Sequence, residues 1–393
     1  MATTPGSAWQ RELKSWLARA ASAADDLADA GIRRLRKRFG RAGIAQIQPY
    51  MGYASTDTAH LHGRILTNPP IDSDYHRDQW WENLGHTVQR FATNEVPGAE
   101  IEASFNGRRG TAVSDDEGYF HLTLPRPQDG DDVFWDVASF RILNPADAAQ
   151  QPSRATCGVM AVPNDAAFGI ISDVDDTILH TGATDIATMA KLTFFGNART
   201  RAPLYGVAEL YERLQSGGVE CPANPIFYVS SSPWNLYDLL EDFLELNAIP
   251  RGPLLLRDLG FDENIFLKSG HDHKLDKARR LINTFDHLPF LLFGDSGQED
   301  ARLYAAAASE FPDRIAGIFI RDIDPDVVSD HNEKVDRYVR QAAEVGVPMY
   351  LVSDSSQAAE IAVEHGWLSR NCLDGIADAT RRDRERPAGT VQP

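Results

Sequence analysis

Between about residues 45 and 161, apolar and polar residues alternate in short runs: Ala45-Gln-Ile-Gln-Pro-Tyr, His60-Leu-His-Gly-Arg-Ile-Leu, Ala99-Glu-Ile-Glu-Ala-Ser-Phe, Gly118-Tyr-Phe-His-Leu-Thr-Leu and Val133-Phe-Trp-Asp-Val. Period two places one set of side chains on a core face and the other toward water. With Gly, Asn and Asp turns between the runs, this predicts antiparallel strands and a β-sandwich. From about 162 the pattern changes. Continuous apolar runs at 168–171, 226–229, 254–256, 289–293, 315–320 and 348–352 are each followed by helical periodicity, at 207–215, 235–247, 275–285, 301–311, 335–345 and 355–365. Strands apolar on both faces that alternate with helices predict a parallel sheet covered on both sides. Ahead of both regions, Leu13, Trp16, Leu17, Ala20 and Ala24 recur at helical spacing within 8–39.

These patterns divide the chain into an N-terminal amphipathic helix (1–42), a β-sandwich (43–161), an α/β domain (162–373) and a tail (374–393) whose Arg, Asp and Pro content predicts disorder. Residues 151–166, with Pro152 and Pro163, read as a linker or a last edge strand. Trp80 and Trp81 fall in a helical insertion over 77–93, where such aromatics more often fill a core than meet a partner. The first helix ends in Arg33-Arg34-Leu35-Arg36-Lys37-Arg38-Phe39-Gly40-Arg41. Such an island can lie on an anionic membrane, each cation contributing about 1 kcal/mol. The alternative is a helix packed on its own domain, its cations favoured by the C-terminal dipole, and Asp25, Asp26 and Asp29 weigh toward that.

Charge and cysteine usage narrow the class. A net charge of −18 over 393 residues argues against general nucleic-acid binding. Cys157, Cys221 and Cys372 have neither metal-ligand spacing nor the pattern of a disulfide framework. A reducing cytoplasm is the expected setting, peripheral contact with a membrane being compatible with it. No apolar run is long enough for a bilayer span, and no signal-peptide core follows the first residues, so secretion is not expected.

The chemistry gathers at Phe168-Gly-Ile-Ile-Ser-Asp173-Val-Asp175-Asp176-Thr177-Ile-Leu, where an apolar strand runs into three carboxylates. Acidic residues at the carboxyl end of such a strand lie at the ligand-binding mouth of an open α/β sheet. Period two sends Asp173 and Asp175 in similar directions, so one can attack an electrophile while the other handles a proton. Two like charges at ~4 Å cost about 4 kcal/mol at an effective dielectric of ~20, and a divalent cation with oxygen ligands removes that objection for an anionic substrate. Taken alone, the segment reads equally well as a solvated acidic turn.

Three further pieces come after it in order: Ile226-Phe-Tyr-Val-Ser230-Ser231-Ser232-Pro233-Trp234, then His273-Lys274, then Phe290-Leu-Leu-Phe-Gly294-Asp295-Ser296-Gly297-Gln298-Glu299-Asp300. Together the four segments resemble the signature of the haloacid dehalogenase superfamily. Ser-Asp-Val-Asp-Asp-Thr-Ile, Tyr-Val-Ser-Ser-Ser-Pro-Trp-Asn-Leu-Tyr and Gly-Asp-Ser-Gly-Gln-Glu-Asp are similar to the catalytic domain of actin-patch-type, magnesium-dependent phosphatidate phosphatases and their bacterial relatives. The resemblance covers roughly 160–325. It implies a Rossmannoid parallel sheet with a small lid, placed at 179–204, where 186–195 is apolar and helix-capable. In the antiparallel region, Thr111-Ala-Val-Ser-Asp-Asp-Glu-Gly-Tyr-Phe resembles a hairpin of immunoglobulin-like or transthyretin-like domains.

The resemblance implies roles residue by residue. Asp173 is the nucleophile, Asp175 the acid and then the base, and Thr177 shapes the turn; Asp176 caps the next segment of chain. Mg2+ is held by Asp173, Asp295 and the Asp175 carbonyl, with Asp300 a ligand or a supporting acceptor. Ser230 donates to the phosphoryl group, Ser231 and Ser232 line the substrate, and Lys274 neutralises its charge, although Lys268 and Lys277 lie close enough in sequence to compete. His271-Asp-His273 suggests a metal pair but lacks a third ligand, and magnesium chemistry needs no imidazole. The implied activity is hydrolysis of phosphatidate at a membrane surface. The alternatives are the same mechanism on another phosphomonoester and a non-catalytic membrane- or partner-binding module.

Overall fold

The structure, a computed structural model, describes residues 45–67, 94–127, 133–144, 153–174, 205–217, 224–257, 272–296, 299–322 and 330–385. The expected N-terminal helix, the insertion with Trp80 and Trp81, the lid segment, and Asp175, Asp176, Thr177 and Lys268 lie outside these residues.

Among the described residues the first half holds nine strands: β1 (Ala45–Pro49), β2 (Gly52–Ala54), β3 (Thr58–Thr67), β4 (Asn94–Glu95), β5 (Glu100–Phe105), β6 (Arg108–Val113), β7 (Tyr119–Pro125), β8 (Trp135–Asn144) and β9 (Arg154–Ala161). They form one connected sheet in the order β1-β3-β2-β9-β8-β5-β6, with β4 and β7 also paired to β3. All pairs are antiparallel except β2 with β9. The expected antiparallel strands are present, and their ladders connect into one sheet. The short β2 makes the connection: it pairs with β3 on one side and with β9 on the other. β9 is neither linker nor edge, because it lies between β8 and β2. Alternation works as the pattern predicts: Ile101, Ala103 and Phe105 are buried while Glu100, Glu102 and Ser104 are half-buried. Phe120 of β7 meets Phe140 of β8 with ring centroids 5.7 Å apart, inside a core that also holds Leu61, Ile65 and Phe105.

The second half alternates β10 (Gly169–Asp173), α1 (Val207–Ser216), β11 (Ile226–Pro233), α2 (Tyr237–Leu246), β12 (Leu254–Arg257), α3 (Asp272–Thr284), β13 (Phe290–Asp295), α4 (Asp300–Glu310), β14 (Ile315–Arg321), α5 (Asp330–Glu344), β15 (Met349–Val352), α6 (Ser355–Glu364) and α7 (Leu373–Glu385). The six strands run in the order β12-β11-β10-β13-β14-β15, and every pair is parallel. Successive residues of β10 enter opposite cores, Ile170 on one face and Ile171 on the other. This is why the strand carries no polar alternation. The chain leaves β10 toward β11 and β12, then returns to β13 on the other side. The order therefore reverses between β10 and β13, and that reversal opens a crevice at their carboxyl ends.

Residues 374–385, expected to be disordered, belong to α7. Ile376, Ala379 and Thr380 are buried at helical spacing, and the Asp383 carboxylate accepts from the Gly206 N–H at 2.8 Å, ahead of α1. Three buried positions on one stripe hold a helix whose overall composition is charged. The two halves also share core: Tyr50 and Tyr119 pack into the cluster around Ile170, and Tyr53, Met160 and Val162 into the one around Ile171.

Candidate active site

Asp173 ends β10 and Asp295 ends β13, the two strands that flank the crevice. Asp300 opens α4 and is fully buried. Carboxylate oxygens of all three lie within 4.8 Å of one another. Lys274, in the first turn of α3 and 2% exposed, places its ammonium 2.8 Å from Asp173 Oδ1 and 3.0 Å from Asp300 Oδ1. The second Asp300 oxygen accepts from the Asp295 backbone N–H at 3.2 Å. Asp300 thus ties α3, β13 and the crevice together. Gly294 makes this close approach possible, since a Cβ there would come within 2.7 Å of Asp300 Cβ and 2.9 Å of Tyr304 Cε2.

Three carboxylates and the Lys274 ammonium share a buried setting that Arg321, at the end of β14, also borders. Such an arrangement is costly unless a cation or a donor-rich environment balances it. A divalent ion with a preference for oxygen ligands matches both the charge and the donor type. Among the described residues the cluster consists of aspartates; His271 lies outside them.

Ser230, in β11 where the ladder to β12 loses register between Val229 and Pro233, is fully buried, and its hydroxyl accepts from the Ser232 N–H at 2.9 Å. Ser231 is half-buried and Ser232 buried in the same irregular segment. Lys277 donates to the Ser230 carbonyl at 3.1 Å. Lys274 thus meets the carboxylates, and Lys277 meets the serine segment.

Several neighbours carry no mark in the motifs. The Tyr211 hydroxyl lies 2.8 Å from Ser172 Oγ, next to Asp173. Burial first, and then the charge of Asp173, raise its pKa, so it stays protonated. Tyr304 donates to the Phe293 carbonyl at 3.1 Å, and burial followed by the charges of Asp300 and Asp173 raises its pKa as well. Arg321 ends β14 in register with Asp295 and lines the same pocket as Asp173. That pocket, about 100 Å³, is otherwise mostly apolar, with Val207, Phe243, Leu244, Phe293 and Phe319 in its wall. Position at the carboxyl end of a parallel strand could have marked Arg321 in advance. Tyr211 carried no such signal, since it reads as one apolar position of an amphipathic helix.

Comparison with known proteins adds an independent line. The chain is 32% identical over 184 residues to the phosphatidate phosphatase APP1 of Saccharomyces cerevisiae, an alignment covering 45% of this chain and 30% of the yeast protein. An uncharacterized protein of Schizosaccharomyces pombe is 29% identical over 159 residues, covering 40% of this chain and 25% of that protein. The chain therefore spans less than a third of the length of these curated relatives. Among solved structures, a β-glucuronidase of Parabacteroides merdae aligns over 71% of this chain and 34% of its own at 10% identity, with a TM-score of 0.22, too low to bear on the fold. Residues 168–322, which span the crevice from β10 to just beyond β14, match the family described as phosphatidate phosphatase APP1, catalytic domain.

Proposed function

We propose that the chain is a haloacid dehalogenase-type, magnesium-dependent phosphatidate phosphatase, working through an aspartyl-phosphate. The observation that carries the reading is the convergence of Asp173, Asp295 and Asp300 around Lys274 at the reversal of strand order. The match over 168–322 supports the substrate class.

The Asp173 carboxylate attacks phosphorus, and the phosphorus–oxygen ester bond breaks with its electron pair going to the diacylglycerol oxygen. Asp175, placed by its motif position, gives that oxygen a proton. It then takes a proton from the water that splits the acyl phosphate, so inorganic phosphate leaves and Asp173 is restored. Dividing one difficult displacement into two suits a phosphate monoester, whose uncatalysed hydrolysis is exceptionally slow. Lys274 orients Asp173 and offsets charge on the phosphoryl oxygens; the Ser230–Ser232 segment supplies donors to them. Mg2+ held by Asp173 and Asp295, with Asp300 behind them, would screen the phosphate from the carboxylates and polarise it. Protonated Tyr211 keeps Ser172 fixed under the nucleophile. The substrate's place in a bilayer puts the enzyme at a membrane surface, reached from the cytoplasmic side, with the cationic run at 33–41 as its proposed contact.

Phosphate release from phosphatidate vesicles tests the reading. Release is expected with Mg2+ and not with a chelator, and Asp173→Asn is expected to lower it by about 10³-fold or more without unfolding the chain. Full activity in that variant would overturn the mechanism. Turnover of soluble sugar phosphates with none of phosphatidate would overturn the substrate and leave the chemistry.

A further inference from the structure

The motif Ser230-Ser231-Ser232-Pro233-Trp234 contains a tryptophan that the chemistry does not use. Trp234 is buried against the other half of the molecule. Its ring stacks on Tyr50 with centroids 4.5 Å apart and planes 19° from parallel, and His62 of β3 meets it edge-on at 5.0 Å. Tyr50, 1% exposed, also packs on Tyr237 at 4.5 Å. Polar contacts run beside the rings. The Met51 N–H donates to the Tyr237 hydroxyl at 3.0 Å, and Gln48 Nε2 donates to both Asp238 oxygens at 2.9 Å. Tyr50 is itself fixed, since its N–H donates to the His62 carbonyl at 3.0 Å.

The contacts that cross between the halves all fall on residues 234–238, immediately after the serine segment. Only Pro233, with its fixed φ, separates Ser232 from Trp234. Trp234 and Ser232 thus lie two residues apart in the chain, and the Ser232 N–H meets Ser230 Oγ. The segment is held from α3 by Lys277 and from the antiparallel half by the aromatic stack.

We infer that Tyr50 is a positioning residue for the phosphate-binding segment Ser230–Ser232, acting through Trp234, so that the antiparallel half is part of the active-site scaffold and not a separable module. This rests on the phosphatase reading for the segment's role. It adds that the residues matched at 168–322 are insufficient for full activity without the half that precedes them.

The test uses the full chain with Tyr50→Ala, Tyr50→Phe and Phe140→Ala. The readouts are KM, kcat and the inhibition constant of inorganic phosphate, each with a melting temperature. A misplaced segment should raise KM and the phosphate constant together by about 10-fold. Tyr50→Phe keeps the stacking ring and should stay within about twofold of the parent. Phe140→Ala lowers stability in the same half away from Trp234 and should leave both constants unchanged. Unchanged constants in folded Tyr50→Ala overturn the inference, as does an equal shift in Phe140→Ala. Should Tyr50→Ala fail to fold, Gln48→Leu removes the clamp on Asp238. A rise of about threefold in the phosphate constant supports the inference and no change overturns it. Thermal stabilisation by inorganic phosphate reports the same binding without turnover, so the inference remains testable on a parent that proves inactive toward phosphatidate.

Discussion

Buried charge is handled differently in the two halves. Among the described residues of the antiparallel half, the buried cation is Arg64. It donates to the Glu117 carbonyl at 2.9 Å, lies 4.5 Å from the Tyr119 ring centroid, and pairs at 3.2 Å with Glu95, whose side chain is 39% exposed. That group is balanced and its anion reaches water. In the parallel half, Lys274 lies among three carboxylates, two of which it meets directly. Protein interiors tolerate the first arrangement as packing; the second gathers like charges that a bound cation would stabilise. The contrast separates a scaffold from a site without reference to any motif.

The largest effect is expected from Lys274→Met. Removing the ammonium leaves Asp173 and Asp300 facing each other in a dry setting, which should cost about 3–5 kcal/mol in urea unfolding without divalent cations. Phosphate release should fall by about 100-fold or more. Added Mg2+ should recover part of the stability and little of the activity. A variant as stable as the parent without metal would break the contrast, because it would mean that the carboxylates already share protons or water.

Phe140→Ala probes the other side of the comparison. Its ring packs on Phe120 inside an apolar core, so the loss should be about 3–5 kcal/mol, of similar size to that at Lys274. Here, however, kcat/KM per folded molecule should stay at the parent value, measured below the onset of unfolding. Similar destabilisation with opposite effects on turnover would establish that one half stores its stability in packing and the other in charges that also do chemistry.

Much of this contrast is legible in the sequence. Apolar runs at 168–171 and 289–293 mark strands buried on both faces, and the acidic residues ending them mark the crevice. Ladder order is out of reach of periodicity. Nothing in Gly52-Tyr-Ala predicts that three residues join β3 to β9. The tail misleads for a different reason: α7 depends on three buried positions, and its charged composition conceals them. Tyr50 and Trp234 are each legible as buried aromatics. Their stacking is a contact between residues 184 positions apart, and no local pattern encodes it.

The smallest effect is expected at the seam. Glu241 lies on α2 among negative neighbours, and burial first, then Asp238, raise its pKa from 4.5 to about 6. Burial also raises the Cys157 thiol of β9 to about 12, with Glu241 adding to the shift. A carboxyl that holds its proton more tightly when folded favours the native state at low pH, so this contribution is lost as pH rises from about 4.5 through about 6. Above that window the ionised form is a small liability, and water reaching the exposed part of the side chain limits it. Glu241→Gln should therefore flatten the stability profile between those values and raise the melting temperature at pH 8 by about 1–2 °C. It should leave phosphate release unchanged, since Glu241 lies on α2 outside the serine segment and the carboxylate cluster. A loss of turnover in this variant would mean that the charge at the seam reaches the serine segment through Tyr237 and Trp234. The sharp division between scaffold and site would then give way to a single electrostatic unit.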